Sequence, residues 1–566
     1  MTRHLRLFPT FLSLTLILLL AQLSTLPASA QDESTPEAPA VSEELAESAE
    51  DEEKDIQEKF NNWFNENINA NLAKVLFFPI YTVELTADDG EVMERKLFGL
   101  AIYEAEVTDD DREVITSEFP LIVLVLVLGG IFFTLRFGFI NVRLFKHSIQ
   151  VIAGKFDRKD DTGEISHFQA LTSALSATVG LGNIAGVAIA ISLGGPGAVF
   201  WMWVTAFFGM SMKFSSCTLA QLYRRVGEDG RVQGGPMIYL EEGIKEMYPN
   251  LAWLGKFFAV MFASFMIMAA FGAGNMFQAN QTASIVTMLF FDGKENLYIQ
   301  LGLGLIMSFL AGIVLIGGIK RIGEITSKIV PGMCIFYCSV CLVIIAMNFA
   351  SIGSMFASIF SNAFAPSAVF GGFVGVLVQG MRRAAFSNEA GLGSAAIAHA
   401  AAKTEEPVRE GVVAMIGPFI DTIVICTMTA LTILITKSHI DTGGLEGVQI
   451  TARAFGQLGD AVPIVLCAAV FVFAYSTMIS WGYYAERCVE YLFGENAIML
   501  FRFVYVFVII IAPILSLGAI LDFADILLLT LAFPNIIGSA LIASKVKPLL
   551  DDYVARLKSG EMTPEN

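Results

Sequence analysis

From Phe119 onward the chain is a succession of apolar stretches, each long enough to cross about 30 Å of hydrocarbon, separated by short polar loops. No other feature limits the fold as much. In lipid every backbone amide and carbonyl must be satisfied within the protein, and for runs of some twenty apolar residues that means helices. Eleven spans are read, at 119–138, 166–193, 196–222, 253–290, 298–318, 325–349, 370–400, 409–436, 461–490, 497–516 and 523–544. The composition agrees: 55% of the 566 residues are hydrophobic and 16% charged, far from the usual balance of a soluble domain.

Ahead of the spans, residues 1–30 have a basic start, an apolar run from Phe11 to Leu20 and small residues at Ala28 and Ala30, the pattern of a cleaved signal peptide. The alternative is an uncleaved first membrane helix. Residues 31–59 form an acidic tail, in which twelve Asp and Glu between Gln31 and Glu58 face one Lys, so disorder is expected. Residues 60–118 suggest a small periplasmic cap, with near-helical spacing over 60–78 and strand-like runs at YTVEL and Lys96–Glu106. The formal charge of −18 excludes a nucleic-acid partner, because an anionic surface repels phosphates.

Threading the spans from a periplasmic mature N-terminus puts the loops rich in Lys and Arg, such as those holding Arg143, Lys155, Arg224, Lys320 and Lys403, in the cytoplasm. The C-terminal tail, 545–566, falls there too. The expectation is a multi-pass protein of the plasma (bacterial inner) membrane. All seven cysteines lie in or beside apolar segments, so disulfides are not expected, and Cys334, Cys338 and Cys341 lack a His or acidic partner for a metal.

With 119–138 set aside as an extra helix, ten spans remain, in two fives over 166–349 and 370–544. An odd number in each half turns the halves upside down relative to each other. Each half opens with a span interrupted by glycine, TVGLGNIAG (178–186) in the first and FSNEAGLGS (386–394) in the second. Such a pair in matching places points to the midplane site of an inverted-repeat transporter.

A helix broken in lipid leaves amides and carbonyls that protein, ligand or ion must satisfy. The amides of Gly180, Leu181 and Gly182, with Asn183 beside them, suit a carboxylate, and the carbonyls of Ser176 and Val179 suit a small cation. Packing between helices through small residues is the other reading of any one glycine. Near the second break, Arg382, Arg383 and Glu389 each cost about 2.5–3.5 kcal/mol at membrane depth, so they pair with one another or serve as gate or ligand contacts. Asn388 can bind a ligand without desolvating a charge. Further candidates are Ser476, Thr477, Ser480 and Trp481 in the ninth span, Asp421 with Thr422 in the eighth, and Asn275 with Gln278 in the fourth.

Four stretches, ALTSALSATVGLGNIAGVAIAI, GGPGAVFWMWVTAFFGMSMKF, RRAAFSNEAGLGSAAIAHAAAKTEEPVREG and STMISWGYYAERC, resemble the alanine or glycine:cation symporter family, the sodium:alanine symporters. The resemblance implies an all-α, five-plus-five inverted-repeat transporter fold of the amino acid-polyamine-organocation superfamily with one extra N-terminal helix. It also implies sodium-driven uptake of alanine or glycine, sodium being the coupling ion with no other cofactor. VGLGN is similar to the first-helix break of neurotransmitter:sodium symporters. Carried over, it implies a sodium site from the Ser176 and Val179 carbonyls, Thr477 and a neighbouring serine, either Ser476 or Ser480, with Thr477 and Trp481 also at the substrate pocket. Leu181 departs from the threonine common in relatives, and Ala396 from their proline. The expected function is a sodium-coupled symporter for small neutral amino acids. Proton coupling through Glu389 or Asp421, a sensor on a transporter scaffold, and an ion channel are the alternatives. An enzyme is not expected, since none of the five His pairs with a nucleophile at useful spacing.

Overall fold

The computed structural model describes residues 57–70, 72, four strands between 79 and 120, and residues 121–562 except 159–160, 229, 295, 316–317 and 365–371. Residues 1–30, where a signal peptide is expected, and nearly all of the acidic tail lie outside the described residues. The first described element is a helix over 57–70 (α1), whose segment Asn65–Asn69 is wound as a π-helix. Strands β1 (Pro79–Thr86), β2 (Val92–Leu97), β3 (Leu100–Glu104) and β4 (Val114–Pro120) follow, in the antiparallel order β3-β2-β1-β4. YTVEL lies within β1, and β4 leads directly into helix α2 (Leu121–Arg136).

The remainder is helical. A bent pair, α3 (His167–Thr178) and α4 (Leu181–Gly194), is followed by α5 (Gly197–Leu222). Next come α6 (Ala252–Phe271) and α7 (Phe277–Phe290), joined through a π-helical turn at Gly272–Met276, then α8 (Leu297–Leu315) and α9 (Gly318–Met347). Helix α10 (Gly372–Asn388) ends at a turn, beyond which stand the four-residue α11 (Ala396–His399) and the long helix α12 (Pro407–Ile435). The chain closes with α13 (Val462–Phe493), α14 (Ile498–Ile511), α15 (Leu517–Thr530) and α16 (Ala532–Ser559).

Among the described residues, seven helices are long and apolar enough to cross a membrane, and the α3–α4 pair, bent by 40°, makes an eighth. The chain is a multi-pass membrane protein. Three of the eleven expected spans fall outside that set. Helices α2 and α10, of 16 and 17 residues, are short, and α5 is long enough but diluted by its serines, threonines and Lys213.

Packing decides which faces meet. Helix α13 lies against α3 and α7, while α4 lies against α10, and the π-helical stretch of α12 (Phe419–Cys426) touches α4, α5 and α10. The two interrupted helices are therefore neighbours. Helix α3 is fixed at its start by a capping box, Ser166 accepting from the Gln169 amide while the Gln169 side chain accepts from the Ser166 amide. Beside this end, backbone bonds join Glu164 and Ile165 to Ala401, and Lys403 to Ile165. Thr162 donates its hydroxyl and its amide to Glu405, holding that exposed carboxyl below its ordinary range. Buried Glu410 is bonded on its two oxygens by His167 and His399, which ties α3, α11 and α12 together.

Candidate functional site

The break between α3 and α4 follows from three displaced helix hydrogen bonds. In a continuous helix the amides of Gly180, Leu181, Gly182 and Asn183 would reach back to the carbonyls of 176–179. Here Gly180 N donates to Thr178 O at 2.9 Å and to Asn183 Oδ1 at 3.0 Å, Leu181 N donates to Gln278 Oε1 at 3.2 Å, and Asn183 N donates to Gly180 O at 3.2 Å. The carbonyls of Ser176, Ala177 and Val179 are thereby released from the helix. Helix α13 answers the first two: Thr477 Oγ1 donates to Ser176 O at 3.0 Å and Trp481 Nε1 to Ala177 O at 3.2 Å.

Thr477 and Trp481 meet the break together because they stand one turn apart on α13. The two candidate serines differ. Ser476 Oγ donates to the Phe473 carbonyl of its own helix, and its backbone carbonyl accepts from Ser176 Oγ at 2.9 Å. Ser480 Oγ is buried without a hydrogen-bond partner among the described residues. Gly180 is required by proximity, since a Cβ there would lie 2.4 Å from Thr477 Oγ1. Gln278 reaches the break from α7, and its amide nitrogen donates to Ala273 O in the π-helical turn. The same turn needs Gly274, where a Cβ would lie 2.3 Å from Trp481 Cβ.

The second break packs on the first. A Cβ on Gly182 would lie 3.3 Å from Ser387 Cα. Between them Asp421 collects donors from both sides: Asn183 Nδ2 at 2.7 Å on one oxygen, Ser387 Oγ at 2.8 Å and Thr422 Oγ1 at 2.7 Å on the other. Asn388 donates from Nδ2 to Thr422 Oγ1 at 2.9 Å and caps the turn by accepting from Ala390 N at 2.9 Å. Its backbone carbonyl receives Lys213 Nζ at 3.0 Å. Glu389 is held at φ 55°, a conformation that non-glycine residues seldom adopt, and accepts from Ser394, while its other oxygen has no hydrogen-bond partner among the described residues.

Three expectations are changed. Arg382 and Arg383 do not pair with Glu389; both bind Asp525 of α15, with Arg382 at 2.9 Å, because α10 turns that face toward α15. The amides of Gly180 and Leu181 are occupied by the side-chain oxygens of Asn183 and Gln278 rather than bare. Asn275 turns from the break to donate to Tyr505 O at 2.7 Å. Lys213, Ser387 and Asp525 went unmarked in the sequence. Lys213 and Asp525 carried a usable signal, each being a charge inside an apolar run.

Chemically, the arrangement offers backbone carbonyls and hydroxyls to a hard cation and helix-start amides to an anion. Among the described residues no cluster of three or more His, Cys, Asp or Glu could hold a metal.

A helical membrane protein built around two touching helix breaks is the architecture of a solute carrier. The model of the sodium:alanine symporter family matches residues 104–566. The chain is 45% identical over 427 residues, 75% of its length and 92% of the other's, to the sodium/alanine symporter AgcS of Methanococcus maripaludis. It is 34% identical over 446 residues, 78% and 89% of the two lengths, to the probable sodium/glutamine symporter GlnT of Bacillus subtilis. In structure it is similar to MhsT in complex with L-phenylalanine, at a TM-score of 0.48 and 14% identity over 67% of this chain and 98% of that one. The chain belongs to the sodium:alanine symporter family.

Proposed function

We propose that the protein is a sodium-coupled symporter that imports small neutral amino acids, alanine or glycine, across the bacterial inner membrane by alternating access. The observation that carries this reading is the set of carbonyls released at Ser176 to Val179 and met by the Thr477 hydroxyl. Sodium takes the Ser176 and Val179 carbonyls with the hydroxyls of Thr477 and Ser480, the serine with no hydrogen-bond partner among the described residues. The substrate carboxylate takes the amides of Gly180, Leu181 and Gly182. Supporting this, Gly180 N and Leu181 N already bond amide side-chain oxygens, groups with the acceptor character of a carboxylate oxygen. The ligand takes the places of the Asn183 and Gln278 oxygens on these amides, while Asn388 and Trp481 wall the pocket. The close approaches at Gly180 and Gly182 favour a substrate with a short side chain.

The spans from 166 to 349 and from 370 to 544 form two inverted repeats, with α2 as the added helix, and the C-terminus lies in the cytoplasm. One cation moving down 100 mV contributes about 2.3 kcal/mol, a roughly fifty-fold gradient of a neutral solute. Coupling requires sodium and amino acid to favour the same closed state. Proton coupling is the second reading, favoured by two buried acids, Glu389 and Asp421, beside the breaks.

Uptake of labelled alanine into vesicles containing the purified protein tests the proposal. Accumulation is expected with a sodium gradient and is lost when choline replaces sodium; accumulation driven equally well by a pH gradient in choline would overturn the sodium assignment.

A further inference from the structure

One cavity has no part in the site above. It has a volume of about 650 Å³ and lies under α1, between the ends of α7, α8 and α15, with Gln57, Glu58, Gln281, Gln300, Glu446 and Gln449 in its wall. Helix α1 closes it from one side and is anchored there. Phe64 is buried against the Phe523 ring at 5.3 Å, Gln57 donates to Ile514 O at 2.7 Å, Asn61 accepts from Ser516 N at 2.9 Å, and Asn69 donates to Ala519 O at 2.9 Å. These residues precede the region matched by the family model, so this wall belongs to the chain's own N-terminal extension.

The lining points to a ligand with donors. Gln300 is only 6% exposed, yet its Oε1 has no hydrogen-bond partner among the described residues although the side chain borders the cavity. A buried acceptor left unmade is costly, and the natural remedy is a donor arriving from the cavity. Glu58 and Glu446 add two exposed carboxylates with no ion-pair partner among the described residues. Gln449 accepts from Glu446 N through Oε1 at 3.2 Å. The unpartnered Gln300 oxygen and two carboxylates thus border a space that suits a small organic molecule. A bare sodium ion prefers a tight cage of oxygens, which separated groups about so large a space do not provide.

The cavity also stands beside the break. Gln281 in its wall is three residues, about 4.5 Å along α7, from Gln278, which bonds Leu181 N. Gln281 Oε1 accepts from Val448 N at 2.9 Å, and a Cβ on Gly447 would lie 2.2 Å from that oxygen, so the two segments are pressed together between cavity and break.

We propose that this cavity is an entry site, which receives the ammonium group of a small α-amino acid on the Gln300 oxygen, with the Glu58 and Glu446 carboxylates drawing it in by their charge, before the molecule passes Gln281 to the break. The proposal rests on the transport reading above. Equilibrium dialysis of labelled alanine against the full-length protein in lipid nanodiscs, at saturating sodium, tests it. Wild type is expected to bind two alanines per chain, one more weakly. Gln300→Leu, and separately the double variant Glu58→Gln with Glu446→Gln, are expected to lose the weaker one and to lower uptake kcat/KM about tenfold with the sodium half-saturation unchanged. The double variant alters exposed side chains, so it reports even if the buried Gln300→Leu change unfolds the protein. A single bound alanine in wild type, or a weaker site that survives the double variant, overturns the proposal. Failure of wild type to accumulate alanine would instead overturn the transport reading, because dialysis still counts the cavity.

Discussion

At the residue scale the site depends on what is missing from Gly180. Its hydrogen leaves room for Thr477 Oγ1, which would otherwise stand 2.4 Å from a Cβ. Gly180→Ala is expected to push α13 from the break and reduce sodium-driven alanine uptake at least tenfold, with normal membrane expression; near-normal uptake would show that the approach is not needed. Thr477→Ala removes one oxygen from the cation's shell and leaves the released Ser176 carbonyl without its donor. A rise of about tenfold in the sodium concentration for half-maximal uptake is expected, and an unchanged sodium dependence would remove Thr477 from the ion site. Ser476→Ala is the comparison, expected to have a smaller effect because that hydroxyl bonds its own helix.

At the scale of elements, the two breaks are joined through a third. Asp421 stands on the π-helical stretch of α12 and receives Asn183 from α4 and Ser387 from α10, so movement of one half-helix is felt by the other. A double-mutant cycle of Asn183→Ala and Asp421→Asn, read as uptake kcat/KM, is expected to give a coupling of about 1–3 kcal/mol; additive losses would show that the two act separately. Both glycine-rich interruptions were legible as a pair in the sequence, because glycine and asparagine weaken a helix just where lipid demands one. That the breaks touch at Gly182 and Ser387 was not legible, since nothing local records which face of α4 meets α10.

For the whole molecule, the buried charges hold the bundle in register. Asp525 on α15 takes both Arg382 and Arg383 of α10, and Arg383 and Asp525 are each about 1% exposed. Asp525→Asn removes the carboxylate that both guanidinium groups bind and is expected to cost about 3–5 kcal/mol, seen as a lower Tm in detergent and poor expression. An unchanged Tm would mean that water or lipid headgroups satisfy the arginines. Sequence reasoning offered pairing with Glu389, six residues from Arg383, as one of two accounts of these arginines, because near neighbours are the only partners a linear reading can see.

The sequence by itself determined that this chain lives in a membrane, where its helices are interrupted, and which residue types the interruptions expose. Hydrophobic length and glycine placement are properties of a short stretch of chain, and lipid punishes every unpaired backbone group wherever it stands. Only the tertiary structure decided who answers those groups. Leu181 finds Gln278 across 97 residues, and Ala177 finds Trp481 across 304. Such partners are chosen by which helix faces pack together, and that choice is made by the sum of many small contacts over the whole bundle rather than by any one motif.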